Sequence, residues 1–275
     1  MTKPIIKTGA EIALMRESGR LLAQVFQMLD DYVAEGVTTM QINDKVEDYI
    51  VNTLKSRPAS KGQYGYFYAL NTSLNEVVCH GLPHATRELR PKDIVNIDIT
   101  LERNGFIADS SKMYVLPEAN PAARKLVNTA YAAMWAGIET VRPGTRLGDV
   151  GHAIQQRAES SGYSVVREYC GHGIGRAMHE APNVLHYGRP HTGLTLLPGM
   201  TFTIEPMINQ GLAKTKTKKD GWTVITKDRQ LSAQWEHTIL VTETGYEVLT
   251  LRPEEHLGGG PFPVRSRDNA DTDAS

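Results

Sequence analysis

The sequence predicts an α+β domain with an antiparallel-rich sheet. Strand-like segments cluster after pairs of helices instead of alternating with single ones. The order of two helices followed by strands occurs twice along the chain. The stretch IVNIDITLERNGFIADSSKMYV at 94–115 is two apolar strands around Asn104-Gly105, a dipeptide that favours a two-residue hairpin turn.

In chain order, Ile12, Met15, Leu22, Val25, Leu29 and Val33 recur at helical spacing and predict a helix over 8–34. Thr8 caps it, Glu11 stands three residues on, and Gly36 ends it. Ile42, Val46, Tyr49 and Ile50 place a second helix over 39–55. Residues 64–70 and 74–79 read as extended and lead into the 94–115 hairpin. The pattern restarts after Pro117, with an Ala-rich helix from Pro121 to Thr140 and another from Leu147 to Ser160. A shift of 108 positions lays Val33 on Val141, Gly36 on Gly144, Ile42 on Val150 and Val46 on Ile154. Extended segments follow at 163–169, 200–209, 222–227 and 235–251. One domain is therefore expected over 1–252, with halves at about 8–116 and 117–252. Residues 253–275, containing GGGPFP and DNADTDAS, read as a mobile tail.

Composition narrows the function. With 275 residues, 40% of them hydrophobic, the chain can bury a sizeable core. A formal charge of −1 supplies no global field for nucleic acid or an anionic membrane. Cys79 and Cys170 are too few for a disulfide framework or a four-cysteine zinc site. Neither a signal-peptide core nor a run of about 18 apolar residues occurs. The expected setting is cytoplasmic, without membrane or specific nucleic-acid partners.

Chemistry enters with carboxylates in apolar strands. A two-residue turn at Asn104-Gly105 sets Asp109 opposite Thr100 and Asp98 opposite Ser111. Asp98 and Asp109 then share one sheet face as diagonal neighbours, about 7–8 Å apart at the backbone; a three-residue loop would separate them. Glu205 lies in the alternating strand MTFTIEPMI, Glu236 in SAQWEHTILV, and His172 in YCGHGIG, where glycines permit close backbone approach. Glu205 follows Asp98 by 107 positions, close to the repeat shift. Four carboxylates and an imidazole suit divalent manganese, iron, cobalt or zinc. They are too many for one catalytic zinc and suit a pair of ions. Any one of these residues alone more often faces water or sits satisfied in a core; the set carries the reading. GHGIG has the wrong glycine spacing for a nucleotide fingerprint. The run KTKTKK at 214–219 reads as a solvated loop.

The segments NEVVCHGLP, NIDIT, ADSSKM, CGHGIGRAMHEAPNVLHYG, TIEPM and DGWTVITKDRQLSAQWEHTILVT together resemble the type I methionine aminopeptidases, in order and spacing, from about residue 5 to 252. The lack of an N-terminal zinc-binding extension resembles the short bacterial form. The resemblance implies the duplicated pita-bread fold, a curved antiparallel-rich sheet flanked by two pairs of helices, and two divalent ions. It implies Asp98, Asp109, His172, Glu205 and Glu236 as ligands, with Asp109 and Glu236 bridging. His80 and His179 would contact substrate and Glu205 would move protons. It also implies a sodium or potassium ion near Asn75, Val77 and Ser232. The partners implied are N-termini of nascent proteins, with transient ribosome contact and a monomeric enzyme.

The side-chain pocket departs from that pattern. Where the family is expected to carry Cys, Tyr, Tyr, Cys, Phe and Trp, this chain has Ser60, Gln63, Tyr66, Asn71, Met178 and Trp222. The amides of Gln63 and Asn71 need polar partners, so an altered or relaxed N-terminal preference is the enzymatic alternative. A proline-peptide peptidase of the same fold usually carries a further N-terminal domain. A non-catalytic relative binding RNA or the ribosome through Lys214, Lys216, Lys218 and Lys219 is the non-enzymatic alternative.

Overall fold

The computed structural model describes residues 3–257. Its first helix, α1 (Gly9–Asp30), opens on a complete capping box: the Thr8 hydroxyl accepts from the Glu11 N–H and the Glu11 carboxylate accepts from the Thr8 N–H. Thr38 and Gln41 repeat the device at α2 (Thr39–Asp48). This helix runs into a wider π turn over Tyr49–Thr53, so the stretch expected as helix to residue 55 changes its winding first. In the second half, α3 (Pro121–Ile138) has Asn120 as cap and proline at its first position, and α4 (Leu147–Glu159) follows.

The strands of the first half are β1 (Arg57–Pro58), β2 (Leu70–Leu74), β3 (Val77–Cys79), β4 (Ile94–Arg103) and β5 (Phe106–Val115). Those of the second are β6 (Ser164–Val165), β7 (Gly171–Gly173), β8 (Glu180–Val184), β9 (Thr201–Ile204), β10 (Met207–Asn209), β11 (Thr215–Thr217), β12 (Val224–Thr226), β13 (Ser232–Gln234), β14 (His237–Val241) and β15 (Tyr246–Val248). β4 pairs β5 along its whole length and carries β1 and β2 on its other edge. The order β15-β14-β9-β7-β8 forms the largest sheet of the second half. Smaller sheets, β13-β10-β6 and β11-β12-β3, complete the set, and every pairing between these strands is antiparallel.

Period-two alternation separates core from site. Along β4, Val95, Ile97, Ile99 and Leu101 join the core under α1 and α2, while Asn96, Asp98 and Thr100 occupy the other face. Along β9, Phe202 and Ile204 enter the second core under α3 and α4, while Thr201 and Thr203 take the other face. Asp98 stands opposite Ser111 and Thr100 opposite Asp109, the register expected of a two-residue turn.

Some expectations differ in detail. Residues 63–65 form a 3-10 turn bracketed by left-handed Gly62 and Gly65, and pairing begins only at Leu70. The stretch 235–251 is divided between β14 and β15. Within 163–169 only two residues pair. β7, β8 and β11 lie where glycine, Pro182 or lysine masked the strand signal. Residues 253–257, expected within the tail, form a 3-10 turn; residues 258–275 lie outside the described set. No helix among the described residues is long and apolar enough to cross a membrane.

Arg252 joins the two cores. Fully buried, its guanidinium lies 5.3 Å from the Phe26 ring centroid in one core and 5.5 Å from Trp235 in the other. It donates to Glu255 at 2.9 Å, to Ser110 Oγ at 3.1 Å and to the Ser111 carbonyl at 3.4 Å. The Glu255 side chain is 3% exposed; against the opposing effect of burial, His237 and Arg252 hold its carboxyl well below the usual range. Removing one partner of such a pair costs about 3–5 kcal/mol. Arg252→Met is therefore expected to lower the urea-unfolding free energy by about that amount; a loss below about 1 kcal/mol, the range of exposed pairs, would contradict this placement.

Candidate active site

Five strands or strand ends deliver the polar residues singled out in the sequence. Asp98 comes from β4, Asp109 from β5 and His172 from β7; Glu205 directly follows β9, and Glu236 stands between β13 and β14. All five line one cavity of about 1090 Å³. Ligand atoms of Asp109, His172 and Glu236 lie within 4.8 Å of one another. His172 Nε2 is 3.8 Å from Asp109 Oδ2 and 3.5 Å from Glu205 Oε1.

Local backbone explains how a histidine reaches this depth. A Cβ at Gly171 would sit 2.4 Å from the Thr203 carbonyl oxygen, and one at Gly173 would sit 2.2 Å from that of Ala181. Only glycines on either side let β7 pass between its neighbours. Asp109 and Glu236 are tied together from behind. Thr238 Oγ1 accepts from the Asp109 N–H and donates to the Asp109 carbonyl, while Ser110 Oγ donates to the Glu236 carbonyl at 2.6 Å.

The electrostatics call for a cation. His172 Nδ1 is 3.0 Å from the Gly173 carbonyl, which can only accept, so Nδ1 carries the proton. Nε2 then turns a lone pair toward carboxylate oxygens. Burial lowers the His172 pKa to about 4, so the imidazole is neutral and its contacts with Asp109 and Glu205 are not ion pairs. Burial raises Asp98 to about 6 and Glu205 to about 8. Asp109 and Glu236 are pushed well above the carboxylate range by burial and then by neighbouring negative charge. Asp109 Oδ1 is buried without a hydrogen-bond partner. An acceptor-rich oxygen and imidazole set of this kind fits divalent metal ions.

The other residues proposed from sequence line the same cavity: His80, His179, Ser60, Gln63, Tyr66, Asn71, Met178 and Trp222. The His179 ring lies 4.4 Å from that of His172, and exposed Tyr64 stacks on it at 5.9 Å. His80 packs edge-on to Tyr169. Tyr66 and Trp222 meet edge to face at 4.9 Å. Asn71 Nδ2 donates to Asp98 Oδ2 at 3.1 Å, and Ser60 Oγ is occupied by Thr100 Oγ1 and the Ala69 carbonyl. Asn75 and Ser232 meet outside this wall, where the Ser232 N–H donates to the Asn75 carbonyl at 2.8 Å; Val77 opens β3 nearby in the chain. Lys214, Lys216, Lys218 and Lys219 are exposed on and beside β11.

Three supporting residues went unnoticed in the sequence. Thr203 Oγ1 donates to Glu205 Oε1 at 2.8 Å and accepts from the His172 N–H. Gln234 Nε2 stands 3.3 Å from Glu205 Oε2. Buried His186 accepts the Glu205 N–H at Nε2. Thr203 and Gln234 each sit two positions before a singled-out carboxylate, a period-two signal available in the sequence. His186 has no such mark.

Comparison with known proteins gives the family and the fold. The model of metallopeptidase family M24 matches residues 13–243. A methionine aminopeptidase of Salmonella typhimurium is 50% identical over 252 residues, covering 92% of this chain and 96% of that protein. The crystal structure of a methionine aminopeptidase from Rickettsia prowazekii superposes with a TM-score of 0.88 at 46% identity, over 90% of this chain and 100% of that one. A prolidase from Pyrococcus furiosus shares the fold alone, with a TM-score of 0.73 at 21% identity over 90% of this chain and 66% of its own. The chain thus has the pita-bread fold and belongs to metallopeptidase family M24, among its type I methionine aminopeptidases.

Proposed function

We propose that this chain is a metal-dependent aminopeptidase that hydrolyses the first peptide bond of nascent proteins and releases the N-terminal methionine. The observation that carries the reading is the buried convergence of a neutral imidazole lone pair and carboxyl oxygens in one cavity wall. Asp98, Asp109, His172, Glu205 and Glu236 would hold two divalent ions drawn from manganese, iron, cobalt or zinc, with Asp109 and Glu236 shared. When bound, such ions supply Lewis acidity and bring the pKa of water toward neutrality.

The chain's own groups do the rest. Glu205, fixed at Oε1 by Thr203 and approached at Oε2 by Gln234, takes a proton from the attacking water and returns it to the departing amine. His179 donates to the substrate carbonyl oxygen and steadies the developing charge, and His80 does so at the scissile nitrogen. Tyr66, Trp222, Met178, Ser60, Gln63 and Asn71 receive the first side chain. A monovalent sodium or potassium ion at Asn75, Val77 and Ser232 belongs to the same reading. So do a monomeric cytoplasmic enzyme and transient ribosome contact.

One observation favours a relaxed side-chain preference. Asn71 and Gln63 put amides in a wall that otherwise offers Tyr66, Trp222 and Met178.

Purified protein is expected to release methionine from Met-Ala-Ser, to lose that activity on chelation and to regain it with Mn2+. His172→Ala is expected to lower kcat/KM by more than about 100-fold without loss of fold; turnover unaffected by both chelation and His172→Ala would refute the assignment. Kinetics on Met-, Leu- and Gln-started peptides test the pocket. Asn71→Cys should sharpen methionine over glutamine by about 10-fold, and an unchanged ratio would show that Asn71 does not set preference.

The raised carboxyl pKa values fix a pH trend. Unfolded carboxyls titrate near 4, so the metal-free fold holds protons that the unfolded chain has already released. Its stability falls as pH climbs through about 6 for Asp98 and about 8 for Glu205. Between pH 7 and 8.5, where histidines are largely neutral in both states, the Tm of chelated protein should fall, and Mn2+ should remove the fall. A Tm that rises over that interval without metal would contradict the burial of these carboxyls.

A further inference from the structure

The loop carrying His179 is held by a charge from the other end of the chain. Lys7 lies just before α1, and its N–H donates to the Gly199 carbonyl at 2.8 Å. Its side chain is only 2% exposed, and Nζ sits 2.5 Å from Glu180 Oε2, on a carboxylate itself 6% exposed. The second oxygen, Oε1, accepts the Arg176 N–H at 3.0 Å and the Ala177 N–H at 3.3 Å. One carboxylate thus caps the turn at 175–177 with one oxygen and grips Lys7 with the other. The turn leads directly into Met178 and His179, both in the cavity wall. Space is tight around the clamp: a Cβ at Gly175 would meet Lys7 Cε at 2.4 Å and Glu180 Oε1 at 2.7 Å. The Gly175 carbonyl also accepts the Ile107 N–H, tying the turn to β5, which carries Asp109.

A buried ion pair is weak evidence for stability, because desolvation offsets much of the attraction. Its registry is more informative here. Glu180 adjoins His179 in sequence, and the only charge matching its buried carboxylate in this clamp arrives from a segment more than 170 positions away, Lys7 being separated by 173. Without Lys7 the buried carboxylate loses its ion-pair partner, and the hold of its other oxygen on the two turn amides loosens.

We propose that Lys7 is a positioning residue for catalysis, acting through Glu180 to set the His179 imidazole against the substrate carbonyl. This rests on the role given to His179 above. A group that contacts the transition state tolerates little displacement, and a misplacement of about 1 Å costs about 100-fold.

The test measures kcat and KM on Met-Ala-Ser together with Mn2+ affinity by calorimetry, for Lys7→Met, Lys7→Arg, Glu180→Gln, His179→Ala and the double variant Lys7→Met/His179→Ala. Lys7→Met should lower kcat by about 10- to 100-fold, with KM within about threefold and Mn2+ affinity unchanged, the split expected when a transition-state contact is lost. Lys7→Arg should recover most of the loss. Glu180→Gln, which keeps the shape and weakens the clamp, should reproduce the pattern and serves if Lys7→Met fails to fold. In the His179→Ala background Lys7→Met should cost nothing further. The proposal is overturned alone if His179→Ala is impaired while both clamp variants keep wild-type kcat, if the losses multiply in the double variant, or if Mn2+ affinity falls in step with kcat. Wild-type kcat in His179→Ala would instead overturn the role of His179, and the proposal with it.

Discussion

Four carboxyl groups buried in one cavity wall are the constraint on which the rest of this molecule depends. A neutral imidazole shares that wall; burial raises all four carboxyl pKa values, and neighbouring negative charge adds to it at Asp109, Glu205 and Glu236. Such a set is tolerable only if protons or cations are taken up there. The hydrogen bonds around the wall arrive from behind and from the sides: Thr203 and Gln234 on Glu205, Asn71 on Asp98, and Gly173 on His172. They fix the acceptors without neutralising them, which is how outer contacts orient metal ligands.

The duplicated architecture makes this arrangement affordable. Each half places helices over one face of its strands and leaves the other face polar, so two independent apolar cores flank the site. Since side chains alternate, the strand that buries Ile97 and Ile99 on one side presents Asp98 on the other without distortion. Arg252 bridges both cores and sits behind the strands of Asp109 and Glu236, adding a buried positive charge on the far side of the acidic wall.

Much of this was legible in the sequence, for identifiable reasons. Asn104-Gly105 sets the parity of β4 and β5, and parity alone decides that Asp98 and Asp109 share a face. Both capping residues, Thr8 and Thr38, stand at helix starts, each three positions before a Glu or Gln that completes the box. The signal fails where contacts are non-local. β8 contains Pro182 and pairs β7 through a bulge, so neither strand propensity nor alternation reveals it. The turn at 63–65 depends on left-handed Gly62, Tyr64 and Gly65. His186 has nothing in its neighbours to show that its ring meets the Glu205 N–H, and Lys7 reads as an ordinary surface lysine until Glu180 is placed beside it.

Shell and pocket are built by different means. The proposed ligands come from strands or strand ends, whereas the side-chain pocket draws on the loop between β1 and β2, the turn before β8 and the loop between β11 and β12, with Asn71 alone on a paired strand. Anomalous diffraction from crystals grown with Mn2+ tests the central claim most directly. Two manganese peaks enclosed by Asp98, Asp109, His172, Glu205 and Glu236 are predicted; a cavity without manganese, or peaks touching none of these five, would contradict it.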